Sequence, residues 1–563
     1  MLNDNTENQN KEIQDFNTAV VHGLSDEAYL DDKLPDSHSI RKEKKQKSFE
    51  NRLGDNAKFL KLLEGMPYSF TSQGLMYCIN RGGNRENDEI INISNAFIIP
   101  IKQIKLISEN ETKSNIEMIA ILAPTGEELP KIAVPIERFE SGYWMVNPDW
   151  GLKIIFTVPP HKNLQIDCIK RISKYMKKED IYQYTGFAEI DGKLVFLHNA
   201  GAVGTDKKIK VDLGDDNLNQ ITLTDEEFDI KDALNYTLKC LDVAPKIISL
   251  PILSLNFMAP LTSLFDELGL TIGFLTWVQG PQQCKKSSMV SAIGSHFGNF
   301  NKNRAPMNFL DGIPSAREKS AKCKDVLICC DDYFPSSNKI EAAEMRKFSE
   351  KLISLCADKM SGARSKSNGE MRRTYRAKGQ IIATGETFPE LSQSRMSRVL
   401  FINVTKTDVK EQELTVIQEH SKELQYSMKK YLEHYIENIQ EFRDAIPKIY
   451  NTKFQEASKE VTVRTAEMIA GLYIGYYLLI DFCNTNNVVT LEKKEEMLKE
   501  GWNTLIELGK EQNTIVETVA PVKMFETGIG VLDSIGKITT FDLESARFCS
   551  RKEIGADGFI RIL

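Results

Sequence analysis

Residues 274–288 read FLTWVQGPQQCKKSS. The apolar run before Gly280 predicts a buried strand, and the residues from Met289 onward predict a helix. A strand, a tight loop and a helix start together bring backbone N–H groups and the positive end of the helix dipole onto a phosphate. The sequence therefore predicts a phosphate-binding loop.

Within this loop the residue types match the motif G-x-x-x-x-G-K-[ST] with one departure. Gly280 opens the loop, Lys286 is placed to reach terminal phosphates, and Ser287 is placed to hold magnesium, with Ser288 next to it. Lys285 stands where the motif has its second glycine, and a side chain there crowds the phosphates or strains the loop. We expect a nucleoside triphosphate and Mg²⁺ as the ligands, and the resemblance described below implies that the nucleotide is ATP.

A second stretch supports the same chemistry. Residues 326–332 read VLICCDD, an apolar run that ends in Asp331 and Asp332. A buried parallel strand presents such acids at its C-terminal edge, where ligands bind. We assign Asp331 to the metal and Asp332 to the attacking water. The alternative is an ordinary strand that ends in a solvated turn, but the gap from Ser287 suits a helix, a strand and a second helix.

Two later strands carry further candidates. Thr384 and Glu386 end an apolar run that starts at residue 379, so they could sense the terminal phosphate or orient water, or simply solvate a strand end. Arg395 and Arg398 precede an apolar strand over 399–404, where an arginine beside a subunit edge can reach a neighbour's nucleotide. We choose Arg398 over Arg395, although either could form a surface ion pair.

A basic segment lies between the acidic strand and Thr384. Residues 358–378 contain seven basic residues against two acids, and the sequence SNGE at 367–370 offers a hairpin turn. A cationic hairpin can grip a phosphate backbone whatever its sequence, and a solvated loop is the alternative. The candidate DNA-binding residues are Arg364, Lys366, Arg372, Arg373 and Arg376.

Net charge and composition neither require nor exclude binding to nucleic acid. Net charge is -7 and the sequence pI is about 5.8, so nucleic-acid binding would have to come from local patches. The ten cysteines contain no C-x-x-C pair, which is the usage of a reducing cytoplasm. Since no stretch reaches about 18 uninterrupted apolar residues, we predict no membrane span.

The 563 residues divide into five segments that differ in composition and hydrophobic pattern. We predict a flexible polar arm over 1–57, an α+β accessory domain over 58–250 and an ATPase core over 251–450. A helical lid over 451–510 follows, then a winged-helix-like segment over 511–563. Strands are expected at 96–101, 116–122, 153–158 and 193–197, a helix at 163–176, and a long amphipathic helix over 411–446 that ends before Pro447.

The order of these motifs resembles an AAA+ ATPase of the minichromosome-maintenance type, including Arg464 and Glu467 as Arg-x-x-Glu on a later helix. Upstream, YTGFAEIDGK at 184–193, with GAVG at 201–204, looks like the domain fused to such ATPases in mobile elements. The match is to the replicative helicase family of staphylococcal cassette chromosomes and pathogenicity islands. The resemblance implies an AAA+ P-loop α/β core, a hexamer, single- and double-stranded DNA as partners, Arg398 acting in trans and Arg464 as the lid sensor.

Two functions from different classes fit these observations. The first is an ATP-dependent DNA helicase that starts replication of a mobile genetic element. The second is a nucleotide-gated DNA-binding initiator or scaffold, in which the altered loop binds ATP but hydrolyses it poorly. A protein-remodelling machine fits less well, because it leaves the basic hairpin without a role.

Overall fold

A computed structural model describes most of the chain, which packs as two units. Among the described residues, those within 47–104 and 114–179 form the first unit, and those within 105–113 and 180–518 form the second. The described residues are 47–79, 89–157, 160–270, 272–300, 305–334, 336, 338–357, 364–365, 371–372, 377–389 and 391–518.

Long strands dominate the first unit. The elements that lie wholly or partly in it are β1 (Tyr68–Thr71), β2 (Gly74–Ile79), β3 (Glu89–Ser94), β4 (Ala96–Ser108), β5 (Glu111–Leu122), β6 (Glu128–Pro135), α1 (Ile136–Phe139), α2 (Lys162–Ile172) and β7 (Lys177–Tyr182). Successive side chains of a strand point to opposite faces. Accordingly, Phe97 and Ile99 of β4 join one apolar core, while Ala96 and Ile98 join the other. Burial on both faces explains the continuous apolar run.

Two expectations for this unit need correction. A strand was predicted at 153–158, but the structure has only an isolated bridge between Phe156 and Ser94. Asn95 forms both backbone hydrogen bonds of Ile155: its N–H donates to the Ile155 carbonyl, and its side-chain oxygen accepts from the Ile155 N–H. The arm predicted over 1–57 overlaps the packed unit at its end. Residues 47–53 are helical, and Phe49 and Leu53 are buried in the first core.

The second unit begins with small strands and helices. These are β8 (Gly186–Ile190), β9 (Lys193–His198), β10 (Gly201–Val203), β11 (Lys210–Val211), α3 (Ile230–Lys239), α4 (Lys246–Met258) and α5 (Thr262–Glu267). Phe187 packs against Tyr435 with ring centroids 4.7 Å apart, and the Thr185 hydroxyl donates to the Lys324 carbonyl at 2.9 Å. Residues 180–250, predicted to complete the accessory domain, therefore pack with the core that follows them.

A five-stranded parallel sheet forms the centre of this unit. It comprises β12 (Leu275–Gln279), β13 (Met307–Asn308), β14 (Leu327–Tyr333), β17 (Gln380–Gly385) and β18 (Val399–Asn403), in the order β13-β14-β17-β12-β18. The helices around it are α6 (Lys286–Gly294), α7 (Ile313–Lys322), α8 (Lys339–Ala357) and α9 (Gln393–Met396). Between the loop motif and the acidic strand lie α6, β13 and α7, which confirms the predicted helix, strand and helix.

The remaining described elements are a short ribbon and five helices. Strands β15 (Arg364–Ser365) and β16 (Met371–Arg372) pair antiparallel. The helices are α10 (Glu411–Glu419), α11 (Ser421–Glu437), α12 (Ile439–Ala457), α13 (Val463–Thr485) and α14 (Leu491–Thr518). Of the winged-helix-like segment predicted over 511–563, residues 511–518 belong to α14, and the rest lies outside the described residues.

The single helix predicted over 411–446 is wrong in two respects. It is broken into three, and α12 continues through Pro447 to residue 457. An internal proline costs about 3 kcal/mol in a helix. Here Ile446 and Tyr450, on either side of it, are both buried, so tertiary packing offsets that cost.

Two helical stretches are long and apolar enough to cross a membrane by composition. They are Lys246–Glu267 and Val463–Thr485, whose apolar windows are 89% and 83% buried inside the fold. Helices packed in this way are the core of the second unit.

Candidate functional site

The loop between β12 and α6 is held close to the neighbouring strands. The Gly280 N–H donates to the Gly385 carbonyl of β17 at 3.2 Å, and the Val404 N–H donates to the Gln279 carbonyl at 2.8 Å. A Cβ on Gly280 would lie 2.2 Å from the Val404 carbonyl oxygen, so a side chain has no room there. The motif's first glycine is therefore required by packing.

Lys285 adopts the backbone conformation that explains the motif's second glycine. Its φ is 62° and its ψ is 18°, in the left-handed region, at the N-cap of α6. That region costs a non-glycine residue roughly 1–2 kcal/mol. The side chain turns to Glu411, with Nζ 2.8 Å from its Oε1. Because the Lys285 side chain pairs with Glu411, it does not crowd the loop as expected, but the strain in its backbone remains.

Lys286, Ser287 and Ser288 form the first turn of α6. Met289 makes the first intrahelical bond of this turn, from its N–H to the Lys285 carbonyl at 2.9 Å. The preceding N–H groups have no intrahelical acceptor and lie at the positive end of the helix dipole. This turn can hold an anion.

Three oxygen-bearing side chains meet at the C-terminal edge of the sheet. The Ser287 hydroxyl donates to Asp331 Oδ1 at 2.8 Å and lies 3.4 Å from the Thr384 hydroxyl. Thr384 also donates to Asp331 Oδ1. Asp331 is 8% exposed and Thr384 is fully buried. Hydroxyl and carboxylate oxygens in this arrangement suit Mg²⁺, which prefers oxygen ligands.

Asp332 lies at an irregularity near the end of β14. Its φ is 70°, and the register between β14 and β17 shifts between Cys330 and Tyr333. Burial, together with the nearby carboxylates of Asp331 and Glu386, raises the pKa of Asp332, while Lys286 lowers it. The bulge therefore carries a carboxylate whose pKa is raised and which feels the charge of the loop lysine.

Glu386 has a partner on the loop itself. Gln282 Nε2 donates to Glu386 Oε1 at 2.8 Å, and the Glu386 N–H donates to the Tyr333 carbonyl at 2.8 Å. Sequence reasoning did not single out Gln282, because only the parallel register brings β17 beside the loop.

Arg398 and Arg464 lie at the other edge of the sheet. Leu275 pairs with Val399 and Gln279 with Asn403, so Arg398 sits at the N-terminal end of β18, roughly 16 Å along the strand from the loop edge. The two arginines and Glu467 line one cavity of about 340 Å³. Arg464 therefore lies near the N-terminal end of β18, and its role as the lid sensor stays a prediction. Arg395, the alternative to Arg398, is ion-paired with Glu350.

The structure places part of the basic segment in a ribbon. Arg364 lies opposite Arg372 and Ser365 opposite Met371 in the antiparallel pair of β15 and β16, as a hairpin requires. Lys366, Arg373 and Arg376 lie outside the described residues.

Comparison with known proteins adds a relation of fold. No family model and no curated protein matches the sequence. The fold resembles that of a solved helicase. SCCmec type IV Cch, described as an active helicase, superposes with a TM-score of 0.51 at 11% identity, covering 84% of this chain and 84% of that one.

A second solved structure is more distant. The apo C-terminal region of NrS-1 gives a TM-score of 0.24 at 9% identity, covering 73% of this chain and 87% of that chain. A likeness at that level carries no argument. The likeness to Cch supports a helicase type of fold built on a mixed α/β core with a parallel sheet.

Proposed function

We propose that this protein is an ATP-dependent DNA helicase or translocase of the AAA+ class that initiates replication of a mobile genetic element. The observation that carries the proposal is the meeting of Ser287, Asp331 and Thr384 beside a phosphate loop at the C-terminal edge of a parallel sheet. The likeness of fold to an active helicase supports it. A cytoplasmic location is part of the same proposal.

Each residue of the site has a chemical task in ATP hydrolysis. The first turn of α6 and Lys286 would bind the phosphates, while Ser287 and Asp331 would hold Mg²⁺, whose charge would offset that of the phosphate oxygens. Asp332 accepts a proton from the attacking water, a role that the raised pKa of its carboxylate supports. Thr384 fixes Asp331 through its hydroxyl, and Glu386 orients water from the neighbouring strand end.

The positions of Arg398 and Arg464 favour catalysis between subunits. Both lie at the sheet edge opposite their own loop, which supports contact with the nucleotide of a neighbouring copy. Such a head-to-tail contact is heterologous and closes into a ring when its rotation permits. We propose a homohexamer in which these arginines stabilise charge on the neighbour's transferring phosphoryl group.

The basic hairpin supplies the proposed contact with DNA. Arginine and lysine side chains on a ribbon can follow a phosphate backbone without reading bases. We propose that Arg364, Lys366, Arg372, Arg373 and Arg376 bind single-stranded DNA during movement and double-stranded DNA at the start.

The second candidate is a nucleotide-gated DNA-binding initiator or scaffold with little unwinding. The strained backbone of Lys285 and its ion pair with Glu411 favour this candidate, because both hold the loop in a form unlike the glycine motif. Under that proposal ATP binding switches DNA affinity, and turnover is slow.

ATP hydrolysis with and without single-stranded DNA separates the two candidates. For a helicase we expect strong stimulation by DNA, which Asp332→Asn abolishes, and unwinding of a forked duplex. Nucleotide and DNA binding without turnover would overturn the helicase and support the scaffold.

A mixing experiment tests the arrangement between subunits. Arg398→Ala and Asp332→Asn should each be inactive alone, but a mixture should recover part of the turnover. Recovery is expected because the Asp332→Asn subunit supplies Arg398 to an intact site on its neighbour. No recovery, or full activity of Arg398→Ala alone, contradicts the role of Arg398 in trans.

A further inference from the structure

One ion pair joins the phosphate loop to a helix far along the chain. Lys285 Nζ lies 2.8 Å from Glu411 Oε1, and the two side chains are 37% and 78% exposed. Lys285 directly precedes the proposed phosphate-binding Lys286, while Glu411 is the first residue of α10. The pair therefore connects the site of nucleotide binding with the start of the helical region.

A cavity of about 630 Å³ opens beside this pair. Ser288, Ser291 and Ser295 line one wall, since residues at such spacings share one helix face, and α10 lines the other. Both Lys285 and Glu411 also line it. A molecule bound to the first turn of α6 and extending into this cavity would pass the ion pair.

Competition for Lys285 follows from the charges. An exposed ion pair contributes little to stability, so a stronger anion can displace one partner. Phosphates carry more negative charge than one carboxylate and would be held at the positive end of α6. Once a phosphate has taken Lys285, Glu411 faces an anion of its own sign.

The effect on α10 is confined to its first turn. Leu414 and Ile417 are buried and anchor the rest of the helix to the core. Loss of the ion pair therefore loosens the turn at Glu411 without detaching α10.

We propose that the Lys285–Glu411 ion pair is a latch between the phosphate loop and α10, and that a bound nucleotide opens it by taking Lys285 from Glu411. The inference rests on the proposed function, since it requires a nucleotide in the loop. It makes Lys285 a nucleotide-sensing residue and gives a reason for a lysine at a strained glycine position.

Glu411→Gln and its neighbour Glu413→Gln make a matched pair for the test. Both acids lie in the first turn of α10, so either change removes the same charge from the same end of the helix. Only Glu411→Gln frees Lys285. We expect it to tighten magnesium–ADP binding by up to about fivefold, the size of an exposed ion pair, and Glu413→Gln to leave binding unchanged. In a Lys285→Gly background, Glu411→Gln should have no effect.

Hydrogen exchange in the peptide spanning α10 supplies a second readout. Magnesium–ADP should increase exchange there in the unaltered protein, whereas Glu411→Gln should show the increased exchange already without ADP. Equal affinity changes for Glu411→Gln and Glu413→Gln, or an effect that persists in Lys285→Gly, would overturn the latch while leaving nucleotide binding intact. Absence of ADP binding to the unaltered protein would overturn the proposed function and the latch together.

Discussion

Replacing Gly280 by alanine probes how tightly the phosphate loop is held. The added Cβ would lie 2.2 Å from the Val404 carbonyl oxygen and 2.8 Å from the Cys284 Sγ. The first of these atoms is backbone and cannot rotate away. The end of β18 or the loop must therefore move, which breaks the packing that joins Gln279 to Val404.

The structure sets the size of this effect and provides a control. Overpacking of this kind costs about 1–3 kcal/mol. A loop displaced by about an ångström can lose 100-fold in turnover, because the reacting groups no longer meet. Gly294→Ala makes the same chemical change at the end of α6, where the nearest atom to the new Cβ is 3.9 Å away. Alanine there should be neutral or stabilising by up to about 1 kcal/mol.

Thermal unfolding and ATP turnover of the two variants provide the test. We expect Gly280→Ala to lower the unfolding midpoint and to reduce turnover by about 10- to 100-fold, in line with the displacement estimate. Gly294→Ala should retain both. If Gly280→Ala were as stable and as active as Gly294→Ala, the close approach of the loop to β18 would be wrong.

Three further predictions follow from individual residues. Lys285→Gly should be more stable than Lys285→Ala by about 1 kcal/mol in thermal unfolding, since both lose the ion pair but only glycine relieves the left-handed backbone; a more stable alanine variant would argue against strain. Asp331→Asn should weaken magnesium-dependent nucleotide binding, whereas Asp332→Asn should bind normally and lose about 100-fold or more in turnover; equal loss of binding in both would reject the division of roles. Burial lowers the pKa of His296 to about 4. Between pH 6.5 and 4 the histidine is therefore protonated in the unfolded state but not in the folded state, and the free energy of unfolding falls as the pH drops through this range. His296→Gln should remove that part of the pH dependence of the unfolding midpoint, and an unchanged dependence would contradict it.

The strands of the proposed nucleotide site were predictable because they are buried on both faces. The apolar runs before Gly280, Asp331 and Thr384 need no knowledge of their neighbours to be recognised, and β12, β14 and β17 lie at those places. Parallel strands place their C-terminal ends at one edge, so the meeting of Asp331 and Thr384 followed from the same argument.

The parts that sequence reasoning missed depend on contacts between distant residues. Glu411 is an exposed acid at a helix start, and nothing local marks it as the partner of Lys285. The packing of α13 places Arg464 beside Arg398, which the sequence around either residue does not indicate. The helix break before α11 and the continuation through Pro447 likewise reflect tertiary packing that local periodicity does not contain.

The measurement that tests the central claim most directly is ATP hydrolysis by Lys286→Ala beside the unaltered protein, in the presence of single-stranded DNA. We expect DNA-stimulated hydrolysis by the unaltered protein and none above background by the variant, since Lys286 is the loop lysine at the start of α6. Equal hydrolysis by the two proteins would contradict the assignment of this loop as the ATP site.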